Sequence, residues 1–174
     1  MPNALTWFFL AALATAAATR LWLAARQIRH VRSHRGSVPG EFAASITLAA
    51  HEKAADYTVA KTRLGTWDAL IDVALVLALS VGGGVQWLSD AWATAFAPAS
   101  LGHGTALLLS LFFVQAAVSL PLALYRVFGV EARFGFNRMT LALFVSDLAK
   151  QAALALVLGV PLLLAVLWLM GRMG

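Results

Sequence analysis

The stretch RQIRHVRSHRGSVPGEFAASITLAAHEKAADYTVAKTRLG, which runs from Arg26 to Gly65, decides the fold of this chain. It contains seven of the thirteen lysine and arginine residues and three of the four histidines, and the sequence around it is mostly apolar. A basic segment between long apolar segments sets which side of a membrane a chain faces. We therefore expect Arg26–Gly65 to be cytoplasmic and the flanking apolar segments to cross the bilayer.

The composition excludes a water-soluble globule. Charged residues make up only 12% of the 174 residues and hydrophobic residues 61%, whereas a soluble domain is about a quarter charged. The net charge of +5 does not indicate nucleic-acid binding, because the basic residues lie at the ends of apolar segments, where anionic lipid headgroups attract them. The sequence has no cysteine, which excludes disulfides and cysteine-ligated zinc. The expected partner is the lipid bilayer.

Four apolar segments predict four transmembrane helices in an all-α, polytopic membrane protein. A helix rises about 1.5 Å per residue, so about 20 apolar residues cross a hydrocarbon core of about 30 Å. Since the loops are alternately rich in and free of Lys and Arg, we predict that both termini are external and that residues 26–65 and 129–140 are cytoplasmic. The predicted spans are residues 4–25, 67–88, 105–128 and 141–170.

Glycine and proline residues divide these segments. Four arginines at every third position predict a helix that continues from the first span until glycine and proline break it at residues 36–40. The apolar spacing from Glu41 to Leu64 predicts an amphipathic helix on the cytoplasmic surface. Gly82–Gly84 either weaken the far end of the second span or allow another helix to approach it closely. Pro121 is predicted to kink the third span.

Two groups of histidines come close to a zinc-protease helix, in which H-E-x-x-H places two histidines four residues apart with Glu as the base. His51 and Glu52 begin such a motif, but an alanine, Ala55, stands where the second histidine belongs. His30 and His34 have the required spacing, but a valine replaces the glutamate and neighbouring arginines disfavour a divalent cation. The sequence therefore assigns no catalytic residue and no metal ligand.

Polar residues inside the apolar segments are the other candidates for chemistry. Asp68 and Asp72 lie one helical turn apart at the start of the second span, and Gln115 lies within the third. Intramembrane carboxylates are functional-site hypotheses by default, but these two lie near the interface, where Lys61 or Arg63 can pair with them. Asp147 and Lys150, three residues apart, predict a local ion pair. A structural ion pair is the interpretation that we favour for the aspartates, with a catalytic or ion-carrying role as the alternative.

The run EARFGFNRMT, residues 131–140, predicts an ordered cytoplasmic turn. Gly135 permits a positive φ, Asn137 and Thr140 can cap a helix, and the two phenylalanines, Phe134 and Phe136, can anchor the turn. Glu131 begins the run.

These residues also carry a resemblance to a known family. The run PLALYRVF at residues 121–128, followed by EARFGFNRMT, resembles the amino-terminal membrane domain of type I CAAX prenyl proteases, which are integral-membrane zinc metalloendopeptidases with many bacterial homologues. The segment HEKAADYTVAKTRLG at residues 51–65 is similar to a segment that follows the first span in that family, with Tyr57 and Lys61 in its pattern.

The resemblance implies that residues 1–174 form a single amino-terminal membrane domain that builds part of an intramembrane chamber. In that family the H-E-x-x-H motif and the zinc it binds belong to a catalytic half that this sequence does not contain. We therefore expect no peptidase activity from this chain alone and no cofactor in it. The expected partners are a protease catalytic half or its polypeptide substrate, and the expected location is the bacterial inner membrane. The alternative is an independent four-helix transporter subunit or scaffold.

Overall fold

The chain is almost entirely helical. A computed structural model describes residues 3–98 and 100–173, and these ranges contain no β-strand. Helix accounts for 83% of the described residues, which confirms the predicted all-α class. The helices within the described ranges are α1 Ala4–Ser33, α2 Leu48–Ser80, α3 Gly84–Trp92, α4 Leu101–Leu124, a π-helix Tyr125–Glu131, and α5 Leu141–Met173.

Three helical segments are long and apolar enough to cross a membrane. They are α1, α5 and the continuous segment Leu101–Glu131, and α2 with α3 adds a fourth if that bent pair is counted as one span. Large apolar side chains point outward on these helices, and Leu158 and Leu162 of α5 are 62% and 65% exposed. An outward apolar surface is what a lipid environment requires. The chain is an integral, polytopic membrane protein.

The chain divides into two compact units. The first comprises the chain up to Val76 together with Ser119–Asn137, and the second comprises Leu77–Val118 together with the chain from Arg138 onward. Each unit has its own set of contacts, and they are described separately below.

In the first unit, α1 begins at a capping residue and ends ahead of residues that break helices. Asn3 caps its start, since its side-chain oxygen accepts a hydrogen bond from the Thr6 N–H at 2.9 Å. The helix continues through the arginine-rich segment to Ser33 and stops ahead of the glycines and proline of residues 36–40, as predicted. A short 3₁₀ turn, Gly40–Phe42, follows.

The helix α2 differs from the prediction at both ends of the helix expected from Glu41 to Leu64. It starts at Leu48 rather than near Glu41, because Thr47 caps it and its hydroxyl accepts a hydrogen bond from the Ala50 N–H at 3.2 Å. It then passes through Gly65 without a break to Ser80, 33 residues in all. The predicted amphipathic helix and the start of the predicted second span are therefore one continuous helix.

In the second unit, the three consecutive glycines interrupt the predicted second span. Gly83 adopts a φ of +78°, and a Cβ added at Gly82 would lie 2.6 Å from the carbonyl oxygen of Ala78. A left-handed glycine ends a helix readily because it has no Cβ. The chain bends by 55° between α2 and α3, so residues 67–88 are not one straight helix.

The last two long helices contain prolines without ending at them. Pro121 lies inside α4 and Pro161 inside α5. Four residues beyond Pro121 the backbone becomes the π-helix, a wider turn that adds one residue per turn and often marks a functional position. The helix α4 begins at Leu101, four residues ahead of the predicted span.

Candidate functional site

Two short motifs that are distant in the sequence come together in the first unit. The Tyr57 ring on α2 meets the Phe136 ring at a centroid distance of 4.8 Å and the Phe134 ring at 5.5 Å. Both contacts are edge-to-face, the arrangement that the quadrupole of an aromatic ring favours. The turn that follows the π-helix is therefore docked onto α2 by a three-ring cluster.

Cationic side chains lie over two of these rings. Residues four apart on a helix share one face, so Lys53 and Lys61 flank Tyr57 on α2. The ammonium of Lys53 lies 5.1 Å from the centre of the Phe136 ring, and that of Lys61 lies 5.9 Å from the centre of the Tyr57 ring. Both distances are within the range of a cation–π contact. We call the set of Lys53, Tyr57, Lys61, Phe134 and Phe136 the aromatic clamp.

The turn itself is shaped by Gly135. Its φ is +71°, a left-handed conformation that strains other residues, as the sequence predicted. A Cβ there would contact only the Lys53 ammonium, at 3.7 Å, so the backbone conformation and not space requires glycine. The carbonyl of Glu131 accepts hydrogen bonds from the N–H groups of both Phe136 and Asn137, at 2.9 and 3.2 Å. These bonds close the turn.

Of the two residues predicted to cap the next helix, Thr140 occupies the capping position. Its hydroxyl accepts a hydrogen bond from the Leu143 N–H at 3.2 Å, directly ahead of α5. Asn137 lies three residues further back and takes part in closing the turn through its backbone.

Asp68 forms an ion pair, but not with the residues that the sequence suggested. Its carboxylate accepts a hydrogen bond from Arg126 on the π-helix at 3.2 Å. Arg63 is five positions from Asp68 on the same helix and so lies on a different face, and Lys61 is two turns away. The correct partner belongs to an element that is 58 residues distant in the sequence.

Of the other predicted polar residues, Asp72 remains beside Asp68. Asp72 shares with Asp68 a groove of about 310 Å³ between α1 and α2, which Arg20 also lines. Gln115 belongs to the second unit. Asp72 and Gln115 both make interactions within the protein. The predicted local pair of Asp147 and Lys150 is confirmed, with a distance of 3.4 Å.

A second contact fixes the connection between α1 and α2. The Arg35 guanidinium donates to both carboxylate oxygens of Asp56, at 2.9 and 3.0 Å, and to Glu52 at 3.0 Å. This bidentate geometry is the strongest that an arginine makes with a carboxylate. The hydrogen bond to Arg35 holds the pKa of Asp56 below its ordinary value, and the same bond raises the pKa of Arg35.

The histidines near these residues do not fit a zinc site. The ring nitrogen Nε2 of His51 donates to the backbone carbonyl of His34 at 3.0 Å, and Glu52 is bound by Arg35. Nδ1 of His34 donates to the His30 carbonyl at 2.9 Å. Among the residues that the structure describes, no three His, Cys, Asp or Glu side chains are grouped as metal ligands would be. No catalytic step through a metal can be built on these residues.

A groove of about 280 Å³ adjoins the aromatic clamp. Two arginines, Arg63 and Arg133, and the rings of Trp67 and Tyr125 lie along it. A Cβ at Gly129 would meet the Tyr125 ring at 2.8 Å, so glycine allows that ring to lie against the π-helix. The cationic and aromatic side chains that line this groove can contact an anionic or apolar group, and none of them is placed as a nucleophile or a base.

The sequence analysis overlooked a polar cluster in the second unit. His103 is only 8% exposed, and its Nε2 donates to the backbone carbonyl of Ser89 at 2.9 Å. Nearby, the indole N–H of Trp92 donates to the Ser110 hydroxyl at 2.8 Å. The sequence did contain an indication of this cluster, because serine is a favoured capping residue. Ser100 caps α4 by accepting a hydrogen bond from the His103 N–H at 3.2 Å, and recognising this cap would have moved the predicted helix start to Leu101.

The comparison with known proteins agrees with this architecture. Residues 27–174 match a family model described as CAAX prenyl protease N-terminal, five membrane helices. The chain belongs to this family. The described residues of this CAAX prenyl protease amino-terminal domain contain three helices that are long and apolar enough to cross a membrane, or four if the bent pair of α2 and α3 is one span.

Individual relatives of the CAAX prenyl protease domain are consistent with that assignment. CAAX prenyl protease 1 homolog of Caenorhabditis elegans is 28% identical over 169 residues, which is 95% of this chain and 37% of the relative. The homolog of Taenia solium is 37% identical over 87 residues, or 45% of this chain and 18% of the relative. The chain thus spans well under half the length of these relatives.

A solved structure of similar fold is that of Ste24p from S. mikatae. It superposes with a TM-score of 0.79 over 88% of this chain and 36% of that protein, at 24% sequence identity. At that identity the likeness shows the fold of the domain.

Proposed function

We propose that this domain forms part of the wall of an intramembrane chamber in a CAAX prenyl protease-like zinc metalloendopeptidase, and that it contributes no catalytic group. The relatives that it matches are named CAAX prenyl proteases, and the family model that it matches describes the amino-terminal domain of CAAX prenyl proteases. Zinc and the groups that activate water belong, in this proposal, to a separate catalytic half. The polypeptide substrate and that catalytic half are the partners.

The observation that supports a wall function best is the aromatic clamp. It joins the turn after the π-helix to α2 through Tyr57, Phe134 and Phe136, so two helical segments are fixed to each other beside one groove. The Asp68–Arg126 pair adds a second tie between the same segments. A wall must hold its shape while a substrate passes, and rings and ion pairs between helices give such rigidity.

Peptidase assays test this proposal. The reading frame downstream of residue 174 is first searched for an H-E-x-x-H segment, and that segment is then produced with the chain in liposomes. Cleavage of a prenylated CAAX peptide is expected only from the two parts together. The double variant Tyr57→Ala/Phe136→Ala is expected to reduce cleavage, whereas Phe42→Ala, an exposed aromatic outside the clamp, should not. Cleavage by residues 1–174 alone, or full activity of the other half without them, would refute the proposal.

Membrane orientation forms the second part of the proposal. The basic segments 26–65 and 129–140 are placed in the cytoplasm of a bacterium, with the chain in the inner membrane and both termini of this segment external. A reporter fused after Ser37 or Gly135 is expected to report a cytoplasmic location, and one fused after Ala99, which lies outside the described residues, an external location. A cytoplasmic signal after Ala99 would contradict this orientation.

A further inference from the structure

One face of α1 combines exposed aromatic, apolar and basic side chains. Trp22 and Leu23 are 60% and 50% exposed, and Arg26 and Arg29 are exposed on the same side of the helix. At 3.6 residues per turn, Ile28 lies opposite to Arg26, and it is partly covered by the protein. The basic face is therefore turned away from the packed side of α1.

The charges on this face have no counterion within the described part of the protein. Arg26, Arg29 and Arg32 form no ion pair with any acidic side chain in residues 3–98 and 100–173. The acidic residues at the start of α2, Glu52 and Asp56, are both bound by Arg35. Three positive charges within about two helical turns thus remain for a partner outside the chain.

The surface next to these charges changes from apolar to polar along the helix. A shallow groove of about 550 Å³ starts at Leu23 and Ala24 and continues past Arg26, Gln27 and His30. The Arg26 guanidinium lies 5.6 Å from the centre of the Trp22 ring. Tryptophan prefers the membrane–water interface, so this contact places Arg26 at the depth of the lipid headgroups.

We propose that this face of α1 is a binding site for an anionic phospholipid. Arg26 and Arg29 bind the phosphate headgroup, with Gln27 and His30 as hydrogen-bonding neighbours, and an acyl chain lies along Trp22 and Leu23. A soluble phosphate ion offers the same charge but nothing to cover the exposed Trp22 and Leu23. The apolar end of the groove therefore selects a lipid rather than a free anion.

Native mass spectrometry of the purified chain in neutral detergent tests this site. The probes are phosphatidylglycerol, phosphatidylcholine with the same acyl chains, and inorganic phosphate. We expect saturable binding of phosphatidylglycerol that the double variant Arg26→Gln/Arg29→Gln weakens by roughly 25-fold, since each basic residue near an anionic surface contributes roughly a factor of five. The control Arg138→Gln/Arg172→Gln removes the same charge from exposed positions elsewhere and should leave the affinity unchanged.

A third variant separates the lipid from the charge alone. Trp22→Ala keeps every arginine and is expected to weaken phosphatidylglycerol binding severalfold while leaving net charge unchanged. Thermal melting of each variant checks that the fold is intact, which exposed positions should allow. Equal binding of the two lipids, equal losses in both arginine double variants, or saturation by inorganic phosphate that displaces the lipid would each overturn the proposal.

Discussion

The aromatic clamp and the polar cluster around His103 hold their surroundings by opposite means. In the clamp, lysine side chains and aromatic rings from two separate segments contact each other while they remain partly exposed. The Phe136 side chain, for example, is 50% exposed. In the His103 cluster, a ring nitrogen and an indole N–H donate to a backbone carbonyl and a hydroxyl, and His103 is only 8% exposed. The two regions should therefore respond differently to salt, pH and substitution.

The difference follows from what each environment does to an interaction. Exposed charges are screened by salt over about 10 Å at 0.1 M, so they contribute modestly and variably. A buried neutral hydrogen bond is not screened, and leaving one of its groups unpaired costs the full desolvation of that group. Because the clamp is partly exposed, it does not depend on its charges alone. Ring contacts and the turn at Gly135 also hold its two segments together.

The largest effect is expected from a substitution of Gly135, which shapes the turn between Phe134 and Phe136 of the clamp. Gly135→Val forces a β-branched residue to a φ of +71°, which should cost about 1–3 kcal/mol of stability. Thermal melting in detergent measures the loss. Gly36→Val is the matched control, since a Cβ there meets nothing within 4 Å and its φ is not positive. Equal melting temperatures for the two variants would mean that the turn is a flexible linker.

The second prediction concerns the rings of the clamp. Phe136→Ala removes one edge-to-face pair with Tyr57, and such a pair contributes about 0.5–1.5 kcal/mol beyond the area it buries. A double-mutant cycle of Tyr57→Leu with Phe136→Leu should give a coupling energy in the same range for that one pair. A coupling energy near zero would mean that the Tyr57 and Phe136 rings lie close together without stabilising the fold. Phe42→Ala, outside the clamp, is the control.

The third prediction concerns the buried side of the comparison. His103→Leu removes a donor to the Ser89 carbonyl and should cost about 1 kcal/mol. Because the bond is buried, the loss should be the same at about 50 mM and about 500 mM salt, although the Debye length shortens severalfold between these concentrations. The exposed His30→Leu is the control for the change of residue. A strong salt dependence would contradict the distinction drawn between the two regions.

The smallest effect is expected at the exposed Arg35–Asp56 pair. Arg35 lowers the pKa of Asp56 from its ordinary value of 3.8, so the pair stabilises the fold above about pH 4 and this contribution is lost as the pH falls through the lowered pKa. Asp56→Asn should therefore reduce the melting temperature at pH 6 and match the parent protein in strong acid. Glu41→Gln controls for the loss of a carboxylate. A difference that grows on acidification would have the wrong sign.

The sequence was sufficient for features that depend on one segment. Apolar length predicted the helical membrane class, the glycine and proline of residues 36–40 predicted the end of α1, and Gly135 predicted its own backbone conformation. Spacing of three residues predicted the Asp147–Lys150 pair. Each of these follows from rules that act within a few residues.

Features that depend on two distant segments were not predictable in the same way. Asp68 found its partner in Arg126, and Tyr57 found its ring partners in the turn after Glu131, because packing and not sequence distance brings them together. The glycine at 65 did not end α2, since tertiary packing outweighs a propensity cost of about 1 kcal/mol. The three glycines at 82–84 did end it, because there a left-handed residue is required.

The π-helix has a consequence for insertions and deletions in this family. A wider turn accommodates one extra residue, and one residue corresponds to about 100° of rotation in an α-helix. The segment Tyr125–Glu131 therefore sets the rotation of the backbone between Arg126, which must face Asp68, and Phe136, which must face Tyr57. Deleting one residue from it would return the backbone to an α-helix without rotating the residues downstream, whereas the same deletion in the regular helix α2 between Tyr57 and Asp68 would rotate one contact away from the other by about 100°.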